Sequence, residues 1–467
     1  MNARTNSTAG RAGLVAALGA ALATTIAACT VVADIDVCER AAPATRDLNA
    51  LTEGDQQLAA LAALPNGNAF ALFFSTAIGD ERPLSELRGV LVGGDGATLP
   101  TCDAAGLREV TYLTRRTIGT VSYAPPWAAS ERGLVTWLED DASGPMPVRL
   151  LRGLFLSETG CVEAPPFEIA RADDRYQLTS ATVLTSASNQ FVAVWSELEL
   201  SGAPGRIRAR AVEFSFSDPE WLGNVDSPSG DAATLVDFVN AYSLGATIDG
   251  GGTFALSWYE ASTFAPIIRF ARFDDRLRER LAPVTLSERR PDERSPDVTV
   301  MRVAHADGQY LLAYTRRDDA GVARVFGQFV DANGAPLRGE HGDGAFRIGA
   351  RATAREILDS VIATTGGGFA VTWTEEVGDA SAGDLALDVR ALLVDGARTT
   401  RFVNPACAAG DFDVTGGSRG LQERAIAVPA PGGLLIAWSD GGRNGTDPSG
   451  LGTRVRFFPD RALLPLE

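Results

Sequence analysis

The residues of this 467-residue chain whose types and spacing could do chemistry are five acids that recur in step. Glu139, Glu197, Glu260, Glu375 and Asp440 each stand two residues after a tryptophan, in the phrases TWLE, VWSE, SWYE, TWTE and AWSD. Seven such phrases run along the chain, with aromatics at Phe74, Trp137, Trp195, Trp258, Tyr314, Trp373 and Trp438. Thr76 and Arg316 take the acid's place in two of them. In a strand, residues two apart share a face, so each acid lies beside its aromatic where the strand runs into a loop. Carboxylates arrayed this way around one face would form an acidic rim that attracts cations or a basic partner. The competing reading is a cross-strand ion pair with arginines that recur as regularly downstream, among them Arg152, Arg210, Arg272, Arg390 and Arg456.

Other chemistry is thinly signalled. Asp318-Asp319 and the stretch from Asp440 to Asp447 (DGGRNGTD) offer oxygens of the kind calcium takes, but neither has EF-hand spacing, and solvated turns account for both. His305 and His341 sit beside Gly/Asp turns and read as surface residues. No GxSxG elbow, HExxH, phosphate-cradling glycine motif or Cys/His nucleophile pair is present. Two carboxylates for glycoside cleavage would have to come together from distant repeats. Trp127 and Trp221 fall out of step with the aromatics and read as edge packing, or as exposed rings for a sugar or partner. No catalytic residue and no metal ligand is assigned.

The elements that must position the acids follow from the repeat. Successive aromatics are 56 to 65 residues apart. Each closes a strand in which side chains alternate, as in Phe191, Ala193 and Trp195 on one face against Val192 and Val194 on the other. A short apolar strand comes before it, such as Ile357 to Ala363, and a third, arginine-bearing strand such as RIRARAVEF from Arg206 comes after it. A weaker fourth strand is readable in several copies, as at Phe167-Glu168-Ile169. Four antiparallel strands per repeat of about 61 residues predict a blade, and seven blades a single all-β, seven-bladed β-propeller. Six or eight blades are the near alternatives; a string of β-sandwiches would need about 100 residues per unit. The pattern resembles β-propeller repeat proteins in general, without a WD dipeptide, kelch or sialidase-type aspartate-box signature. Closing the ring needs a latch, for which residues 31–37 (VVADIDV) are the expected strand, with residues 461–467 as a short fourth strand of the last blade.

There are 42 basic residues against 59 acidic ones, a net charge of −17, and every basic residue is an arginine. That balance argues against nucleic acid as a partner. At the N-terminus, Arg4 and Arg11 precede an apolar run from Leu14 to Ala28, too short to span a bilayer comfortably. The run ends in Ile26-Ala27-Ala28-Cys29, which resembles the lipobox of bacterial lipoproteins. The resemblance implies cleavage before Cys29 and acylation of that cysteine (palmitate among the chains). With Thr30 following, it also implies sorting to the outer membrane. Several acyl chains on one residue would anchor firmly.

An exported chain meets an oxidising compartment, so the remaining four cysteines are expected to pair. Cys102, Cys161 and Cys407 lie 28, 24 and 34 residues after their aromatics, and Cys38 takes a similar phase by extrapolation. Adjacent-blade pairing then gives Cys102–Cys161 and Cys38–Cys407, one of three connectivities.

The expected organisation is a signal peptide over 1–28, a lipid-anchored tether over 29–55 and a propeller over 56–467. The expected function is an outer-membrane lipoprotein, facing the periplasm or the cell surface, that binds or scaffolds an envelope protein or a glycan without catalysis. It needs no cofactor, calcium being the one ion the sequence leaves room for. The rival readings are a carbohydrate-active propeller enzyme and a calcium-dependent adhesion protein.

Overall fold

In the computed structural model, residues 45–48, 55–76, 85–102, 109–115, 118–125, 132–141, 148–187, 190–215, 218–222, 230–249, 252–261, 266–287, 300–318, 320–337, 344–349, 354–377, 386–394, 411–415, 421–441 and 452–459 are described. They form seven antiparallel sheets arranged as a seven-bladed β-propeller. The first strands of blades 1 to 7 are Asp55–Ala63, Ile118–Ala124, Tyr176–Ala187, Ala241–Ile248, Met301–Ala306, Glu356–Ala363 and Gln422–Ala430. Each packs beside the first strand of the next blade and the last beside the first, so they ring a central channel. The aromatic phrases are the second strands: Ala69–Thr76, Arg132–Asp141, Gln190–Glu199, Thr253–Ala261, Gln309–Arg317, Phe369–Val377 and Gly433–Asp440. The third strands follow, from Ser85–Val92 in blade 1 to Gly452–Pro459 in blade 7. Among the described residues there is no helix long and apolar enough to cross a membrane.

The seven aromatics explain the repeat. Each belongs to a different apolar core, and in every case that core is shared with the preceding blade. Trp195 of blade 3, for example, packs on Leu138, Leu151 and Ile169 of blade 2. A sheet with a bare apolar face must cover it with another element, and here each blade covers its neighbour's. In blade 1 the aromatic in step is Phe73, not Phe74: Phe73 is fully buried while Phe74 is half-buried. Phe73 faces Leu58 and Arg88 as Trp373 of blade 6 faces Leu358 and Arg390. Side chains alternate across a strand, so only one of two adjacent phenylalanines can enter the core.

The first strands carry a second repeating device. In six of the seven blades their pairing with the second strand is interrupted by a bulge close to the aromatic. A first strand has no β-partner on its channel side, and backbone N–H groups there need other acceptors. Hydroxyls of the preceding blade supply them. Ser122 accepts from the N–H of Val183 (3.3 Å), Ser180 from Leu244 (3.4 Å) and Ser243 from Met301 (2.9 Å). Thr315 accepts from Leu358 (2.8 Å), Ser360 from Ala427 (3.1 Å) and Ser439 from Leu58 (2.9 Å). These bonds stitch six consecutive joints of the ring, each at roughly 1 kcal/mol. Blades 1 and 2 are joined covalently by the Cys102–Cys161 disulfide, whose closure of a 59-residue separation is worth about 4 kcal/mol in the chain-entropy account. Cys38 and Cys407 lie outside the described residues.

The ring is latched by the N-terminal segment, within the 29–55 tether. Arg46–Asp47 forms the outermost strand of blade 7, opposite Val455 and Arg454. The amide of Leu48 donates to the carbonyl of Thr453 (2.8 Å), and Arg456 donates to the Thr45 hydroxyl (3.1 Å). Residues 31–37 and 461–467 lie outside the described residues, and Arg46–Asp47 holds the fourth-strand position of blade 7.

Truncating a fully buried aromatic leaves a cavity, at a cost of about 3–5 kcal/mol. Phe73→Ala should therefore lose about that much in a urea unfolding titration, and Phe74→Ala clearly less. Equal losses would reject the assigned phase.

Candidate functional site

The recurring acids do not form an open rim. Glu139, Glu197, Glu375 and Asp440 are buried, and Glu260 is about one-fifth exposed. In blade 2 Glu139 accepts from the Trp137 indole N–H (2.9 Å) and from Arg152 (3.0 Å). In blade 3 Glu197 does the same with Trp195 (2.8 Å) and Arg206 (2.6 Å), with Arg208 at 3.7 Å. Glu260 pairs with Arg269 (2.9 Å) and Asp440 with Arg454 (2.8 Å). Trp137, Trp195, Trp258, Trp373 and Trp438 each stand directly opposite an arginine of the third strand. Four of the five acids, Glu139, Glu197, Glu260 and Asp440, are thus held within the blades as cross-strand ion pairs, and Glu375 is buried with them.

Several arginine partners differ from those the sequence suggested. Of the five, Arg152 pairs with its own blade's acid, while Arg390 pairs with Asp411 (3.1 Å). Arg210, Arg272 and Arg456 lie further along the strand and reach other groups. They donate to the carbonyls of Ile169 (3.2 Å), Ala332 (2.9 Å) and Val414 (2.6 Å), tying each blade to a neighbouring segment. In blade 5, where Arg316 replaces the acid, its guanidinium lies over the Phe326 ring at 4.1 Å.

The remaining sequence candidates are structural where they are described. The Asp318 carboxylate accepts from the amides of Ala320 (3.0 Å) and Val322 (2.9 Å) and from Arg324 (2.9 Å), so its turn is closed on itself. His305 is half-buried, not a surface residue, and its ring lies 4.6 Å from that of Tyr310. Burial pushes its imidazole below its ordinary pKa. Trp221 packs on Phe167 (5.8 Å) beneath Arg210 (3.4 Å), which is edge packing. Among the described residues no group of three or more His, Cys, Asp or Glu side chains is gathered to hold a metal. Cys29, Trp127, Asp319, His341 and residues 442–451 lie outside the described residues.

What the sequence did not single out is a charged cluster on the channel wall. Arg302, Asp359, Glu423 and Arg424 come from the first strands of three consecutive blades, 5, 6 and 7, with Gln57 of blade 1 alongside. Arg302 follows Met301 just as Asp359 follows Leu358, each the residue after the partner of its blade's aromatic. Asp359 is the extra residue of its bulge, and a bulge re-aims a side chain. Its carboxylate accepts from the Thr374 hydroxyl (2.8 Å) and from the amide of Ala425. Arg302 is open to solvent at its surface, yet it is hemmed in by protein closely enough that burial lowers its pKa, as befits a group inside a channel. Burial also pushes the Asp359 carboxyl up to about 7. The Glu423 charge adds to that rise, while Thr374, Ala425 and Arg302 oppose it. Glu423 accepts from the Gln57 amide (3.1 Å) and lies 3.9 Å from Arg424.

No protein-family model matches this chain, and no curated protein does. Solved structures similar to it include a protein of unknown function from Dyadobacter fermentans, 10% identical over 89% of this chain and 100% of its own, with a TM-score of 0.43. A second is a GH93 α-L-arabinofuranosidase of Fusarium graminearum in complex with arabinobiose, 10% identical over 74% of this chain and 94% of its own, TM-score 0.44. A third is a prolyl endopeptidase, 11% identical over 94% of this chain, TM-score 0.41; the chain spans 51% of that protein's length. None of these likenesses bears on what the chain does.

Two outcomes are expected. Removing a carboxylate from a buried ion pair leaves its partner unpaired, so Glu197→Gln should cost roughly 2–4 kcal/mol in urea unfolding, and Glu260→Gln, at a wetter site, about 1 kcal/mol or less. Asp359 sets a pH dependence of opposite sign to that of an ordinary paired carboxylate. Its folded-state pKa is raised, so the stability carried by its protonated form is full below the unfolded value near 3.9 and is lost as pH climbs through about 7. Asp359→Asn should therefore gain stability relative to the parent between pH 5 and 8, as read by thermal melts; a constant difference would reject the shift.

Proposed function

We propose that this chain is a non-catalytic binding module of the bacterial cell envelope, tethered through acylated Cys29 and engaging its ligand or partner at the channel wall of the propeller. The observation that carries the reading is the charged cluster of Arg302, Asp359, Glu423 and Arg424. The devices that build the blades recur from blade to blade. Among the described residues this cluster occurs once. The bulges of blades 1, 3 and 4 bear Ala59, Thr179 and Ser243, none of them charged. Charged groups enclosed in a channel cost free energy unless they are paired, and ring closure does not require them. Loops and channel mouths are also where a rigid scaffold gathers residues from many blades.

The lipobox pattern at residues 26–29 supports the address, and the tether leading to Arg46–Asp47 would place the propeller close to the membrane. Cells producing the native chain should hold it in the outer-membrane fraction, and Cys29→Ala should release it. Crosslinking followed by mass spectrometry should then enrich an envelope component with the anchored form alone. A Cys29→Ala chain that stays in the membrane fraction would reject the anchor. Identical crosslinked material from both forms would reject the envelope-bound role.

A further inference from the structure

We propose that the channel wall binds an oxyanion, the carboxylate or phosphate group of a small ligand, between the guanidinium of Arg302 and the carboxyl group of Asp359, with the neutral acid form of Asp359 required for binding. This deepens the binding reading above and rests on it.

The guanidinium carries five N–H donors in a planar fork that matches two oxygens of an oxyanion. Among the interactions of the described residues, the Arg302 side chain makes one hydrogen bond, to the carbonyl of its own neighbour Met301 (2.9 Å). Its remaining donors stand in a channel where solvent reaches them. The other cation of the cluster is differently placed. Arg424 is exposed and lies 3.9 Å from Glu423, which also takes the Gln57 amide, so its nearest charge is a carboxylate of the same strand.

Asp359 decides whether Arg302 is available. The charged groups that face Asp359 are Arg302 from blade 5 and Glu423 from blade 7; Arg424 lies beside Glu423, which also takes the uncharged Gln57 of blade 1. The Thr374 hydroxyl and the Ala425 amide already donate to its carboxyl oxygens. With Asp359 neutral, the cluster holds two positive charges and one negative, a net of +1. That is a local reversal in a chain of net charge −17. A neutral carboxyl also has an O–H to donate to an incoming oxygen. With Asp359 ionised the cluster falls to zero, the carboxylate attracts the Arg302 guanidinium across the wall, and an anion entering the site meets like charge. The carboxyl titrates near pH 7, so the site is open in mildly acidic surroundings and closes as the medium turns alkaline. By linkage, anion binding near pH 7 takes up a proton.

Isothermal titration of the full chain with D-glucuronate and with inorganic phosphate, from pH 5.5 to 8.5, tests this. At least one probe is expected to bind at pH 5.5 and to weaken by about tenfold or more by pH 8.5, since above its pKa a required proton is lost about tenfold per pH unit. Response to glucuronate alone identifies a carboxylate-bearing ligand, and response to phosphate alone a phosphorylated one. Arg302→Gln should abolish binding at every pH. Asp359→Asn, which keeps a hydrogen-bond donor and cannot ionise, should bind glucuronate, ionised throughout this range, with a flat pH profile, and should bind phosphate with no more pH dependence than the probe's own ionisation brings; thermal melts of both variants establish that they are folded. Folded parent protein that binds neither probe at pH 5.5, binding that survives Arg302→Gln, or a flat profile in the parent would each overturn the proposal. The broader binding reading is separable: envelope material crosslinked equally to the parent and to Arg302→Gln would leave that reading standing while removing this one.

Discussion

No blade of this protein can bury both of its faces alone, and closing seven of them into a ring gives each blade two neighbours. Every other feature answers to that constraint. The second-strand aromatics are fully buried because each fills the gap against the preceding blade. The Ser and Thr hydroxyls near the bulges accept amide hydrogens from the adjoining blade, because first strands facing a channel have no further strand to pair with. Arg46–Asp47 completes blade 7 because a ring whose last sheet ended at Gly452–Pro459 would present an unpaired edge.

The same closure creates the electrostatics of the channel. A carboxylate on an outer strand would be hydrated and ordinary. Asp359 sits on an innermost strand, where a bulge aims it among the wall residues of blades 5 to 7, and enclosure raises its pKa toward neutrality. Enclosure shifts Arg302 the other way, and for the same reason: each charged form loses water that the wall replaces only in part. By contrast, Glu197 lies deeper in the protein yet is met by an indole N–H and two arginines, so its charge is compensated within one blade.

The fold was legible because its main signal is a period. Seven aromatics at near-equal spacing, with alternation before each and arginine after, specify blades and their number without any long-range information. Phase was harder: FALFFST has aromatics on both faces of the strand, and only the register with Leu58 and Arg88 selects Phe73. The arginine partners were missed for a similar reason. RIRARAV has arginines at 206, 208 and 210 on one face, and sequence spacing does not say which of them stands opposite Trp195. The inter-blade stitches left only a partial trace. The residue after the in-phase aromatic is Ser196, Thr315, Thr374 or Ser439 in four blades, and two of these, Thr315 and Ser439, are stitches, while Ser122, Ser180, Ser243 and Ser360 come from first strands. The channel cluster left none: Arg302, Asp359, Glu423 and Arg424 lie on three separate strands with no shared spacing, and only closing the ring brings them to one wall.

The most direct measurement is the titration of the Asp359 carboxyl itself, by carbon NMR of aspartate-labelled protein with Asp359→Asn to assign the resonance. An enclosed channel wall predicts a midpoint near neutrality, at about 7. A midpoint near 4, the ordinary aspartate range, would mean that the group is freely hydrated and that the wall described here does not enclose it.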